Sequence, residues 1–307
     1  TAENNDGSLR IVCRQRRSEA MPRPKLPCLS PYRTINLTAG CPNECCYCYA
    51  QSYPHHPGWG TVAFYANMLD RIRDEFHGLD PRPSMVYFST ASEPFLPVPP
   101  ILDQLHAIMH FLLFEGVMLL VSTKCVIPQD FLELFARYST QVHVQVGITT
   151  VNEQVRQLLE PRAESIDGRL ENLRALKRSG VAVEARMDPL VPGLTDTADC
   201  FGALLPALEA AGVRRAVASY LFLRWGIRPP RELAFGDWSF AKMRRLYTFK
   251  RTDYCGGGTI WLPPPEYRRE HYDRLKELAR AHGIDVGLCA CKNKEITMEC
   301  CHPQPAI

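Results

Sequence analysis

The sequence predicts an α/β fold: an incomplete (β/α)6 TIM-like barrel over 34–225, preceded by an N-terminal extension over 1–33 and followed by a Cys-rich C-terminal extension over 226–307. Three observations lead there. From residue 34 onward, short β-branched apolar runs alternate with longer helical patterns, the grammar of βα units that build a parallel sheet. Several runs end in polar residues, at Ser92-Glu93, Lys124, Thr149-Thr150 and Arg186-Asp188, and carboxyl ends of parallel strands are where ligands sit. Six units are too few for a closed eight-stranded barrel, so the sheet is expected to be splayed around a gap that admits a bulky substrate.

In chain order the predicted strands are TINLTAG (34–40), MVYFSTAS (85–92), VMLLVSTK (117–124), VHVQVGITT (142–150), VAVEARMDPL (181–190) and RRAVASYLFL (214–223). Between them, helical patterns fall near 61–77, 100–114, 128–138, 152–159, 168–179 and 199–211. Beyond 224 the grammar changes to a Pro- and Arg-rich stretch, a basic helix near 238–251, the glycine run of YCGGGT, a long helix near 265–282 and the Cys-rich tail. A boundary is expected near 225.

At 307 residues and 46% hydrophobic, the chain is long enough for one large core, or one core with a small appended domain. A formal charge of +3 is too mild to indicate a nucleic-acid binder by composition. No apolar run approaches the roughly 20 residues of a membrane span, and TAENNDGSLRIVC lacks the apolar core of a signal peptide, so a cytoplasmic protein with no membrane partner is expected. The 13 cysteines are not spread as a disulfide framework: tight groups at 41–48 and 289–301 leave long stretches nearly empty. Clustered thiols in a reducing compartment suggest metal.

The densest group is CPNECCYCYA, where Cys41, Cys45 and Cys48 stand as CxxxCxxC directly after the first predicted strand. Three thiolates in so short a loop can wrap one face of a 4Fe-4S cluster, which normally takes four cysteines, leaving one iron open to a cofactor. The competing readings are a structural zinc site or redox thiols, although zinc usually draws on two separated knuckles. Cys46, inside the last spacer, reads as a small packed side chain.

The stretch SPYRTINLTAGCPNECCYCYAQ resembles the cluster loop of the radical S-adenosylmethionine (radical SAM) superfamily, with Tyr47 in the aromatic slot before the last cysteine. STASEPFLP, VSTKCVIPQDFLELF, VGITT, and LLEPRAES followed by RLENLRALKRSGVAVEARMDPLVPGLTD are similar to its spore photoproduct lyase-like subfamily, often labelled DNA repair photolyases. The resemblance spans about residues 30–223. It implies a cluster on Cys41, Cys45 and Cys48, and S-adenosylmethionine beside Tyr47. Ser92 and Glu93 would face the cofactor's amino group, Lys124 its carboxylate, and Thr149 and Arg186 its ribose and sulfonium side. It also implies an electron donor such as flavodoxin or ferredoxin, and a substrate that is a small molecule, a peptide or a nucleic acid. The blander alternatives are Lys124 as a solvated strand end, Glu93 as an acid at a helix N-terminus, and Arg186 paired with Asp188 or Glu160.

The implied reaction is reductive cleavage of S-adenosylmethionine to a 5′-deoxyadenosyl radical that abstracts a substrate hydrogen. Transfer of the aminocarboxypropyl group by a different C–S cleavage, or a non-catalytic metal- or nucleic-acid-binding barrel, stay open beside it. Spore photoproduct lyases are expected to carry a hydrogen-donating cysteine shortly before the acidic residue of the second strand, whereas this chain reads Ser89-Thr90-Ala91-Ser92-Glu93. The thymine-dimer reaction is therefore not implied, and the donor candidates are Cys125, Cys255 or a tyrosine.

The tail GLCACKNKEITMECCHP supplies Cys289, Cys291, Cys300 and Cys301, with Cys255 upstream in YCGGG. These thiols are expected to hold a second, auxiliary iron–sulfur cluster; a zinc site and free tail cysteines are the competitors. Ten Lys and Arg residues interleaved with aromatics over 214–251 can track phosphates, hold an anionic small molecule, or form a solvated face, the last being favoured.

Overall fold

The computed structural model describes residues 9–24, 29, 32–224, 232–254 and 258–298. Seven parallel strands form its main sheet: β1 (Arg33–Ile35), β2 (Met85–Phe88), β3 (Met118–Thr123), β4 (Val142–Gly147), β5 (Ala182–Leu190), β6 (Arg215–Tyr220) and β7 (Asp285–Leu288). They lie side by side in chain order. Register runs across the sheet, with Phe88 opposite Val121, Val121 opposite Val144, Val146 opposite Ala185, and Ala218 opposite Leu288. The six strands expected from the sequence are all present. The seventh comes from the region read as a Cys-rich extension, where DVGL follows the last helix.

The helices that return the chain between strands are α1 (Met68–His77), α2 (Pro99–Phe114), α3 (Gln129–Arg137), α4 (Glu153–Leu159), α5 (Ile166–Arg178) and α6 (Ala198–Ala210), followed by the short α7 (Phe240–Arg244) and the long α8 (Pro265–Ala281). Their starts are chemically marked. Asn152 accepts from the Gln154 and Val155 N–H groups, Ser165 from Gly168, and Thr197 from Cys200, which satisfies donors that a helix start leaves orphaned. α2 and α8 place proline in the first turn, where its missing N–H costs nothing.

The strands bury both faces, as parallel strands do: Val121, Val144, Ala185 and Ala216 join one core with Leu105, Leu112, Leu173 and Leu204 from the helices. Among the described residues β1 and β7 remain the two edges of the sheet, so the barrel is partial and unclosed. No helix is long and apolar enough to cross a membrane among the described residues.

Three local expectations change. The helical pattern at 61–77 begins only at Met68, because Thr61–Tyr65 forms a strand paired parallel to Arg10–Arg14; its β-branched and aromatic residues fit a pleated surface better than a helix. TINLTAG splits into β1 and a two-residue strand, Thr38–Ala39, that pairs antiparallel with the same Thr61–Tyr65 strand. The basic segment 238–251 is not one helix. Five residues of α7 are followed by the strand Phe249–Tyr254, antiparallel to Gly258–Leu262, which also pairs with Leu223–Arg224.

Candidate functional site

At the carboxyl ends of the strands lies a cavity of about 600 Å³, within the usual size of a small-molecule site. The cluster-loop segment forms one wall. Gly40 makes that loop possible: its φ is +81°, and a Cβ there would meet the Thr61 carbonyl oxygen at 2.5 Å. The loop is then held by the last residue of α4 and the segment that follows it. Cys46 N–H donates to the Leu159 carbonyl (2.9 Å), and Arg162 N–H donates to the Asn43 carbonyl (3.4 Å). The Glu44 carboxylate accepts the Gly60 N–H at 2.9 Å and pairs with Arg162 at 3.2 Å.

Cys41, Cys45 and Cys48 all line the cavity, whereas Cys46 is not among its lining residues and packs with an apolar cluster that includes Val155 and Leu159. All four are free thiols. Burial pushes the cavity-lining thiols up, Cys45 to about 12, with neighbouring Cys45 and Glu93 adding to the rise at Cys41. Three thiolates cannot persist there without positive compensation, which an iron core supplies. A cubane takes each thiolate on a different iron, so it asks only that three thiols face a common space. The donor set thus fits a 4Fe-4S cluster.

Above the loop stands a buried triad of charges. Glu160, 3% exposed, accepts from the Tyr47 hydroxyl; its carboxylate lies 3.6 Å from Lys124 Nζ and 2.5 Å from Arg169 Nη1. Burial raises the Glu160 carboxyl, and Lys124 and Arg169 overcome it, so it lies below the usual carboxylate range. Arg169 also donates to the carbonyls of Gly147 and Glu164, each at 2.9 Å. Lys124 Nζ sits 5.3 Å from the Tyr47 ring centroid. The stem of Lys124 lies across Gly147, whose hydrogen leaves the room that a methyl group would fill: a Cβ would meet Lys124 Cγ at 2.8 Å.

The Ser92-Glu93 pair divides. Glu93, 5% exposed, accepts from Thr123 Oγ1 (2.5 Å), Lys124 N–H (3.0 Å), Phe95 N–H (3.3 Å) and Asn43 Nδ2 (3.4 Å), tying the cluster loop to the ends of β2 and β3. Four donors occupy both of its oxygens. Ser92 Oγ, by contrast, is buried without a hydrogen-bond partner among the described residues, and Ser92 lines the cavity. Ser89, at the end of β2, holds φ +61°, an uncommon conformation for a residue with a Cβ and one that gathers at functional sites.

A second charged group lines the same cavity. Arg186 Nη2 is 2.8 Å from Asp188 Oδ2, and Lys292 Nζ is 2.7 Å from Asp188 Oδ1. Lys292 carries no sequence motif and was not among the expected site residues. Cys289 and Cys291, at the end of β7, are buried and line the same cavity as the cluster-loop thiols. Cys255, Cys300 and Cys301 lie outside the described residues.

Two expected residues stand away from the cavity. Thr149 is buried, is not among the lining residues, and its carbonyl accepts from the Cys200 thiol at 3.5 Å. Cys125, also absent from the lining, donates its thiol to Asn43 Oδ1 at 3.3 Å. Within the basic stretch Arg244 and Arg245 are exposed, as a solvated face requires, but Arg251 is 7% exposed and donates to the Cys291 carbonyl at 3.2 Å.

The model of the Radical SAM superfamily matches residues 35–203. A radical SAM Nalpha-GlyT isomerase of Pseudomonas phage M6 is 23% identical over 266 residues, covering 86% of this chain and 54% of that protein. An uncharacterized protein of Acidianus two-tailed virus is 27% identical over 175 residues, 53% of this chain and 58% of its own length. The chain thus spans little more than half the length of these relatives. Among solved structures, spore photoproduct lyase complexed with a dinucleoside spore photoproduct superposes with a TM-score of 0.68 at 16% identity, covering 91% of this chain and 81% of that one. A radical SAM methyltransferase from Sphaerobacter thermophilus gives 0.52 at 18% identity, covering 84% and 66%. These likenesses establish the shared partial barrel.

Proposed function

The chain belongs to the radical SAM superfamily, and on that premise we propose that it reductively cleaves S-adenosylmethionine at a 4Fe-4S cluster on Cys41, Cys45 and Cys48, giving a 5′-deoxyadenosyl radical that takes a hydrogen from a substrate in the barrel cavity. The observation that carries this reading is the meeting of three cluster-spaced thiols, Ser92, Lys124 and Arg186 on one cavity. Each residue has a physical task. Lys124 pairs with the cofactor's carboxylate while Glu160 and Tyr47 fix its side chain. The unpartnered Ser92 hydroxyl accepts from the cofactor's ammonium, and Glu93 positions that strand end. Arg186 serves the ribose side. Thr149 supports the rim from behind. The aromatic wall of Tyr49 and Phe222 keeps water from the reacting centre.

The electron comes from a small donor such as flavodoxin or ferredoxin. The structural neighbour that holds a dinucleoside photoproduct supports a nucleic-acid substrate. Ser89 to Glu93 contain no thiol, however, which argues for a different outcome on it. Two buried cavity thiols, Cys289 and Cys291, support a second iron–sulfur cluster completed by Cys255, Cys300 or Cys301.

The test is anaerobic iron and sulfide analysis of reconstituted wild type and a Cys41→Ala/Cys45→Ala/Cys48→Ala variant, followed by reduction with S-adenosylmethionine and nucleoside analysis. About four irons lost in the variant, with 5′-deoxyadenosine from wild type alone, supports the proposal. Methylthioadenosine in its place means aminocarboxypropyl transfer. A zinc-loaded protein that cleaves nothing overturns the radical reading.

A further inference from the structure

A second cavity, of about 630 Å³, is lined by Arg215, Lys276, Arg280 and the run from Gly283 to Gly287. Its volume falls within the range of small-molecule sites. Arg215 opens β6 and Asp285 opens β7, so this cavity sits toward the amino ends of the last two strands, away from the cluster loop at the carboxyl ends.

Three cations are brought together there by three elements. Lys276 and Arg280 stand one turn apart on α8, where like charges at i and i+4 repel. Gly283, at φ +61°, turns the chain out of that helix: its N–H donates to the Arg280 carbonyl at 3.1 Å, and the Ile284 N–H donates to that of Ala279 at 3.0 Å. Arg215 reaches the same space from β6. Its Nε lies 2.7 Å from Glu184 Oε1, a carboxylate whose side chain is 1% exposed and which also holds Gln145 at 2.8 Å and His143 at 3.2 Å. Gly287 leaves room beside the guanidinium, since a Cβ there would lie 4.0 Å from Arg215 Nη2. Glu184 thus fixes Arg215 by one nitrogen. The other two, with the heads of Lys276 and Arg280, have no acceptor among the described residues. Asp285 is the one acid of the lining; it stands in register with Arg215 but forms no ion pair among the described residues.

The partial negative charge at the end of α8 accounts for Arg280, in the last turn. It does not account for Lys276, one turn further in, or for Arg215 on a different element. We propose that Arg215, Lys276 and Arg280 bind the phosphate group of a small molecule. Cations converging from a strand and from two turns of a helix suit an anion with three acceptor oxygens, whereas a carboxylate offers two in one plane. Asp285 limits the net positive charge of the site. A phosphate seated there ties α8 and β6 to β7, the strand that leads into Cys289, Cys291 and Lys292. The inference requires neither the cluster nor S-adenosylmethionine and stands apart from the proposed function.

The experiment reads thermal unfolding of the purified full chain at constant ionic strength, with chloride exchanged for inorganic phosphate. Phosphate also stabilises proteins by exclusion from their surface, and that part is common to every variant. The site is therefore read from differences. Wild type is expected to gain a few degrees more than Lys276→Gln/Arg280→Gln, because a ligand that binds only the folded state raises its midpoint. Both side chains lack partners, so that variant's midpoint in chloride stays close to that of wild type. Arg10→Gln/Arg14→Gln, which removes two exposed cations from the N-terminal strand, keeps the wild-type gain, and Asp285→Asn exceeds it. Equal gains in wild type and Lys276→Gln/Arg280→Gln overturn the assignment. So does a loss in Arg10→Gln/Arg14→Gln as large as that in Lys276→Gln/Arg280→Gln, which would make the effect one of overall charge.

Discussion

Lys124 Nζ stands 3.6 Å from the Glu160 carboxylate, with the Tyr47 ring beneath it, so a strand-end cation and the cluster loop are held by one buried acid. The pairing helps a lysine stay charged inside a cavity: burial acts to lower its pKa, and Glu160, together with Cys45 and Asp188, outweighs that and raises it.

Glu160→Gln removes the only acid of that triad and leaves Lys124 and Arg169 facing each other across a buried amide. Removing one partner of a buried ion pair costs about 3–5 kcal/mol, so denaturant unfolding is expected to show a loss of that order. An unchanged midpoint would mean that the triad is not organised as described.

Gly147→Ala places a methyl group against Lys124 Cγ and Cε, which would lie 2.8 and 2.9 Å from it. Those atoms belong to a flexible side chain, and Gly147 does not hold a positive φ, so the fold is expected to tolerate the change. Displacement of Lys124 should weaken binding of S-adenosylmethionine by about tenfold, as loss of a charge-assisted contact does. Equilibrium binding of the cofactor, set beside thermal unfolding, separates the two effects.

Asp188 titrates abnormally. Burial raises its carboxyl, but Lys292 and Arg186 together bring it down to about 2. A carboxyl with a depressed folded pKa stabilises above its unfolded value, near 3.9, and loses that contribution as pH falls through the folded value. Wild type is therefore expected to lose about 2 kcal/mol between pH ~4 and ~2 that Asp188→Asn does not lose. Parallel acid-unfolding curves for the two proteins would refute this.

Cys289→Ala/Cys291→Ala tests the tail thiols directly. If they hold a second cluster, iron content after anaerobic reconstitution falls by about four per chain while the Cys41, Cys45, Cys48 centre keeps its spectrum. Iron content equal to wild type sinks the auxiliary cluster.

The barrel strands were legible because parallel strands buried on both faces must be written as apolar β-branched runs, as VMLLVSTK and VHVQVGITT are. The cluster loop was legible because its chemistry demands thiols at a fixed spacing. β7 was not: DVGL is short and mixed, and only the vacant edge of β6 makes it a strand. The basic segment misled because Lys and Arg favour helices, while Phe249–Tyr254 takes its conformation from pairing with Gly258–Leu262. Thr149 followed the motif onto the rim, yet side chains alternate faces at strand ends and its own is not among those lining the cavity. Lys292 left no signal beyond ordinary charge, since Asp188 lies 104 residues away. Glu160 stands in LLEPRAES and is a partner the sequence offers Arg186, but only the folded sheet brings it to Lys124, 36 residues away.

The seventh strand also gives this cavity an order of manufacture. The cluster-loop thiols, Lys124 and Glu160 are synthesised early, while Cys289, Cys291 and Lys292 arrive only after α8 has been made. A nascent chain that stops before residue 285 carries every cysteine of the cluster loop, yet it presents β6 as a raw edge and leaves Asp188 with one cation in place of two. Completion of the site thus waits for residues 285–292, whatever has been made before them.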